Sequence, residues 1–222
     1  MSTISQYIDH TALSADTTEE KIKSLCLEAE KFQFWSVCIN PAYIPLAKKM
    51  LANSDVKICT VVGFPLGATL SKVKVFEAIS AIEMGADEID MVVNIGWVKS
   101  GKWNAVREDI QCVFDACVTT PLKVIFETCL LNEQEIENLG KICSDIGVAF
   151  IKTSTGFSHS GATINAVKLM KQSVGNSVQI KASGGIKTKE VAEQMLLAGA
   201  TRLGTSSGVM IITGESNTTG QY

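Results

Sequence analysis

Eight short runs of apolar and β-branched residues, at 7–10, 35–39, 57–62, 88–93, 123–127, 149–153, 178–182 and 202–205, alternate along the 222-residue chain with stretches of helical periodicity. Parallel neighbours in a sheet need a crossover of a dozen or more residues, usually a helix, and this rhythm supplies one after nearly every run. Eight such units predict an α/β fold of the (β/α)8 TIM-barrel type, a closed parallel barrel with outer helices. An open doubly wound sheet is the alternative, but the first strand is not followed by the Gly-x-Gly-x-x-Gly fingerprint of a dinucleotide fold.

The helical stretches carry their own punctuation. Thr18-Glu19-Glu20-Lys21 resembles a capping box and opens an apolar face of Ile22, Leu25, Cys26 and Ala29, and residues 43–53 carry a second stripe. The stretch 73–84 ends at Gly85, 103–117 begins after Gly101, 132–146 ends at Gly147 and 187–197 ends at Gly199. One repeating pattern without a linker predicts a single domain over residues 1–214, followed by a polar tail, 215–222, expected to be mobile.

Composition narrows the function. Hydrophobic residues make up 46% and charged ones 19%, which suits strands buried on both faces. A net charge of -3 without any Lys/Arg block excludes a nucleic-acid surface, and the apolar runs are too short or too interrupted by glycine to cross a membrane. A cytoplasmic protein acting on a small molecule is expected. The seven cysteines are odd in number and never spaced Cys-x-x-Cys, so they read as reduced, mostly buried hydrophobes. His10 and His159 lack metal-ligand spacing and read as structural or solvated, and no metal and no cofactor are expected.

Two lysines stand inside apolar strands, Lys152 in Ala149-Phe150-Ile151-Lys152 and Lys181 in Val178-Gln179-Ile180-Lys181. A buried ammonium is costly unless paired or deprotonated. Active-site groups of a barrel cluster at the C-terminal ends of its strands, which gives a short list of Asp9, Thr11, Cys38, Asp90, Glu127, Lys152 and Lys181, several of them ionisable residues inside apolar runs. A lysine becomes a nucleophile when its pKa falls from about 10.4 toward roughly 7–8, and the two lysines on adjacent strands are expected to do this to each other. Asp90, flanked by aliphatic residues, is expected to find a lysine partner across the barrel; the competing reading makes both lysines purely structural, salt-bridged to Asp90 and Glu127. Beyond the seventh and eighth strands, Ser183-Gly184-Gly185-Ile186 and Gly204-Thr205-Ser206-Ser207-Gly208 are the loops where barrels bind phosphate, and Thr153-Ser154-Thr155-Gly156 adds hydroxyls nearby.

These segments, with Ile8-Asp9-His10-Thr11, Gly63-Phe64-Pro65-Leu66-Gly67 and Gly85-Ala86-Asp87-Glu88-Ile89-Asp90, resemble the 2-deoxyribose-5-phosphate aldolases over nearly the whole chain. The resemblance implies a class I aldolase that cleaves 2-deoxy-D-ribose 5-phosphate reversibly to D-glyceraldehyde 3-phosphate and acetaldehyde, in deoxynucleoside breakdown. It implies Lys152 as the Schiff-base lysine, Lys181 as its pKa perturber and proton carrier, and Asp90 as proton donor or acceptor with water. Phosphate contacts are implied at Gly184, Gly185, Gly204, Ser206 and Ser207 with Thr155 and Gly156, while Thr11 and Cys38 line the site. Some members carry lysine where this chain has Phe157, and some end in a tyrosine that folds over the site, as Tyr222 would. The partner is a phosphorylated sugar, and a homodimer is left open as the assembly. Two rivals are another amine-catalysed barrel lyase and a non-catalytic sugar-phosphate sensor.

Overall fold

The computed structural model describes residues 4–214, and in it the eight runs become parallel strands that close into a barrel in sequence order. They are β1 (Ile8–Ala12), β2 (Ser36–Ile39), β3 (Lys57–Val62), β4 (Glu88–Val92), β5 (Leu122–Ile125), β6 (Phe150–Lys152), β7 (Gln179–Ser183) and β8 (Arg202–Thr205). Closure is made by β8 pairing with β1, where Asp9 lies opposite Gly204.

Outside the strands lie α1 (Glu19–Phe32), α2 (Ile44–Met50), α3 (Ser71–Met84), α4 (Ile95–Lys99), α5 (Trp103–Cys117), α6 (Glu133–Ile146), α7 (Ile164–Val174), α8 (Lys189–Leu197) and α9 (Gly208–Thr213). The Thr18 hydroxyl caps α1 by accepting from the backbone of Lys21, whereas a full reciprocal capping box forms on α6 between Asn132 and Glu135. Gly85 closes α3 at φ 114°, a left-handed position open to glycine, and a Cβ there would collide with Lys48. Helix α7 has no counterpart in the sequence reading, although Ile164, Val167, Met170 and Val174 recur at helical spacing behind a Thr163 cap.

Alternation along each strand sorts the side chains into two compartments. Outward residues such as Ile8, Val37, Ile89, Met91, Val124, Ile151, Ile180 and Leu203 pack with the helices into the main apolar core. Many inward residues are polar instead: Asp9, Ser36, Glu88, Asp90, Lys123, Lys152, Lys181 and Arg202 are all buried, beside a small apolar layer of Cys38, Cys59 and Val61. The barrel interior is therefore an ionic core within an aliphatic shell.

One further buried pair ties the shell to β4. Lys74 of α3 is fully buried and donates to Asp109 of α5 at 2.6 Å and to the carbonyl of Val92, the last residue of β4, at 2.9 Å. Burial pulls the Lys74 pKa below its ordinary value, with Asp109 opposing that pull. Asp109→Leu should therefore cost about 3–5 kcal/mol, and Lys74→Met/Asp109→Leu together should cost less than that single change, measured by urea unfolding. A double variant less stable than Asp109→Leu would contradict this.

Candidate active site

Asp90 is the hub of the ionic core. Its Oδ2 accepts from Lys152 and Lys181, each at 2.8 Å, and its Oδ1 accepts from Lys123 at 2.8 Å and from the Cys59 thiol at 3.1 Å. The parallel register makes this convergence possible, since Lys152 lies opposite Lys181 and Asp90 opposite Lys123. Lys181 also lies 2.5 Å from Asp9 Oδ2, and Arg202 Nη1 donates to Asp9 Oδ1 at 2.9 Å. Arg202 Nη1 also donates to Glu88 Oε2 at 2.9 Å, and Lys123 sits 2.7 Å from that same oxygen. The pattern Asp90, Lys181, Asp9, Arg202, Glu88, Lys123 and back to Asp90 is a closed ring of alternating charge.

The ring is neutral by itself. Lys181, Lys123 and Arg202 each touch two of its carboxylates, whereas Lys152 touches only Asp90. Lys152 is thus a fourth cation added to a balanced set of three pairs. Burial favours the neutral form of each carboxyl, but facing cations outweigh it and hold Asp90 well below the usual carboxylate range, with Asp9 and Glu88 also lowered. Burial likewise opposes the charge on Lys181, yet Asp9 and Asp90 together push its pKa well above the ordinary value. The expectation that the lysines depress each other is therefore corrected for Lys181: two carboxylates face it and overcome the neighbouring ammonium.

Lys152 stands where the ring meets solvent, at the floor of a cavity of about 640 Å³ at the C-terminal end of the strands. Thr11, Thr155, Gly156, Gly184, Gly185, Gly204 and Ser206 line this cavity. Gly204 also makes room for the core, because a Cβ there would come within 3.1 Å of Lys181 Cε. Thr155 forms wall, but its donors are committed inward to Glu127, and its hydroxyl also accepts from the Phe157 backbone at 3.0 Å.

Several expectations are revised by position. Glu127 is not a lysine counter-ion: a left-handed φ of 58° turns it to Thr155. Cys38 does not line the cavity; it is fully buried in an apolar layer with Leu13, Cys59 and Val61, against which Phe64 packs. Ser207 is also absent from the lining, and its N–H is given to Thr205 Oγ1 at 2.9 Å. Tyr222 and the tail 215–222 lie outside the described residues.

Sequence reasoning missed Lys123, Glu88 and Arg202 in the ring and Lys21 and Lys187 at the mouth. Lys123 carries the same signal as Lys152, a lysine within an aliphatic strand. His10 faces outward and pairs with Glu28 at 2.7 Å, and all seven cysteines are free. Cys38, Cys59 and Asp90, or Asp9, Cys59 and Glu88, are close enough to hold an ion, but a metal there would compete with the lysines and Arg202 for the same carboxylates.

A family model described as DeoC/LacD family aldolase matches residues 3–212. A deoxyribose-phosphate aldolase of Mannheimia succiniciproducens is 57% identical over 219 residues, covering 99% of this chain and 98% of that protein. One of Histophilus somni is 56% identical over the same length and shares. The structure of an Aeropyrum pernix deoxyribose phosphate aldolase, described as tetrameric, superposes with a TM-score of 0.88 at 31% identity, covering 94% of this chain and 89% of that one.

The depressed carboxyls make folding sensitive to acid. Below the ordinary values of 3.8 for Asp and 4.5 for Glu the unfolded chain binds protons that the folded ring refuses, so their contribution is present above those values and lost as pH falls. The urea midpoint should fall progressively below about pH 4.5, and the fall should be shallower in Glu88→Gln. A midpoint unchanged between neutral pH and pH 3 would contradict the ring's role.

Proposed function

We propose, for a chain that belongs to the DeoC/LacD family of aldolases, the reversible cleavage of 2-deoxy-D-ribose 5-phosphate to D-glyceraldehyde 3-phosphate and acetaldehyde through a Schiff base on Lys152. The observation that carries this reading is the surplus of one cation over the ring's three carboxylates. Loss of a proton from Lys152 leaves the ring balanced, whereas loss from Lys123, Lys181 or Arg202 breaks two ion pairs. The amine nearest the cavity is also the one whose deprotonation disturbs the core least.

Neutral Lys152 attacks the C1 aldehyde of the open sugar, and loss of water gives an iminium at the same Nζ. Asp90, 2.8 Å from that atom, faces the restored positive charge. Removal of the C3 hydroxyl proton breaks the C2–C3 bond, releases glyceraldehyde 3-phosphate and passes the electron pair into the iminium as an enamine. Protonation at C2 and hydrolysis then free acetaldehyde and the amine. Asp90 and Lys181, which meet at 2.8 Å beside Lys152, are read as the groups that carry these protons, with water relaying between.

The phosphate is read onto the loops at Gly184, Gly185, Gly204 and Ser206, with Lys187 and Lys21 supplying charge from the rim. Phe157 fills the position where some relatives carry lysine and packs edge-on against Phe64, centroids 5.2 Å apart, so the cationic contact falls to the rim lysines. A cytoplasmic setting is supported by the free cysteines, and no helix among the described residues is long and apolar enough to cross a membrane. A homodimer is proposed as the assembly, supported by the exposed apolar stripe of Leu70, Val73 and Phe76 on and before α3.

Borohydride trapping with acetaldehyde should add an ethyl group to Lys152, and Lys152→Met should abolish both adduct and turnover. A folded native protein that takes no adduct would rule out the Schiff base and favour a sugar-phosphate sensor. Lys187→Ala should raise KM for the phosphorylated sugar about tenfold and leave the slow cleavage of 2-deoxyribose unchanged. Equal loss on both substrates would remove Lys187 from the phosphate site.

A further inference from the structure

Arg202 and Glu88 open β8 and β4, and so lie at the end of the barrel opposite the mouth. Arg202 is sealed there between two aromatic faces, its guanidinium carbon 4.5 Å from the Trp35 ring centre and 5.0 Å from that of Phe150. Glu88 is held by the Trp35 indole N–H at 2.9 Å as well as by Arg202 and Lys123. Neither touches Lys152 or the cavity. Such a sealed guanidinium has no role in binding substrate, yet it is one of the three cations that make the ring neutral.

We infer that Arg202 and Glu88 set the pH at which Lys152 becomes a free amine, by fixing the charge count of the ring to which Lys152 is attached. The inference rests on Lys152 being the Schiff-base amine. With Arg202 present, the protonated Lys152 is a fourth cation against three carboxylates, and the core gains balance by releasing its proton. Without the Arg202 charge, the same ammonium is the third cation against three carboxylates, and releasing its proton leaves an uncompensated carboxylate. Sealed charges act at low effective dielectric and are little screened, so this influence reaches along the barrel axis.

The remaining charged or titratable groups around Lys152 do not alter this count. From the strands these are Asp9, the Cys38 and Cys59 thiols, Asp90, Lys123 and Lys181, all buried and all common to every variant below. Burial raises the Cys59 pKa, with the facing Asp90 adding to it, while the Cys59 thiol beside it lowers that of Cys38. Glu127 is bound to Thr155, and Asp16, Lys21 and Lys187 lie exposed at the mouth, where solvent screens them.

The test is the pH dependence of kcat/KM for 2-deoxyribose 5-phosphate cleavage by the full chain, whose acid limb reports the free enzyme. In Arg202→Gln, which removes the charge but leaves a polar amide on the same strand, the acid limb should move up by about one pH unit. Arg202→Lys should restore it. Arg202→Gln/Glu88→Gln, with three cations against two carboxylates, regains the native surplus of one and should return the limb near its native position. A purely structural role predicts the opposite, because the double variant loses more contacts than the single one. Should Arg202→Gln fail to fold, Arg202→Met retains the stem between the aromatic rings and is read the same way. Borohydride trapping on native protein separates the two claims. No Lys152 adduct sinks the aldolase reading, whereas a native adduct together with an unmoved limb in the charge-deleted variant, or a double variant displaced further, overturns the inference alone.

Discussion

Everything chemical in this barrel depends on the carboxylate of Asp90, which receives three ammonium groups at 2.8 Å while fully buried. A lone buried carboxylate facing three cations would leave a large net charge in the interior. The remaining ring members remove that imbalance, as Asp9 and Glu88 each bridge one of those lysines to Arg202. What is left over is one positive charge, and it resides on the lysine that reaches the cavity. Reactivity of Lys152 is thus a property of the ring as a whole.

Closure of the parallel barrel brings this ring together. Its members come from β1, β4, β5, β7 and β8, and their side chains meet because closure directs alternate residues of every strand to one axis. The aliphatic shell outside provides the cohesion that the polar interior does not, and it excludes water from the ion pairs. Fixed pairs of this kind need little rearrangement as charge moves from ammonium to amine to iminium, which is the preorganisation that favours catalysis.

The sequence made the architecture legible because the period of strand and helix alternates so regularly. All eight runs are strands, with boundaries shifted by a few residues. Helix α7 escaped because the Ser- and Gly-rich stretch before Thr163 reads as an extended loop that masks the apolar spacing behind it. At the site, Lys152, Lys181 and Asp90 were found by one signal, an ionisable group inside an apolar run. Lys123 carries that signal too and was passed over, whereas Glu88 and Arg202 open their strands, where a polar residue is ordinary, so their burial was invisible without the barrel. Glu127 was selected by the strand-end rule, but a left-handed turn after β5 directs it to Thr155 instead. Cys38 was placed at the mouth by the same strand-end rule, but Leu13 and Phe64 belong to the layer that encloses it.

Site-resolved 15N NMR of the lysine Nζ atoms across a pH titration tests the central claim most directly. The account predicts that Lys152 releases its proton first among the three lysines that meet Asp90, while Lys123 and Lys181 remain ammonium throughout the range in which the fold persists. Release from Lys123 or Lys181 before Lys152 would contradict it, since the surplus charge would then lie inside the ring.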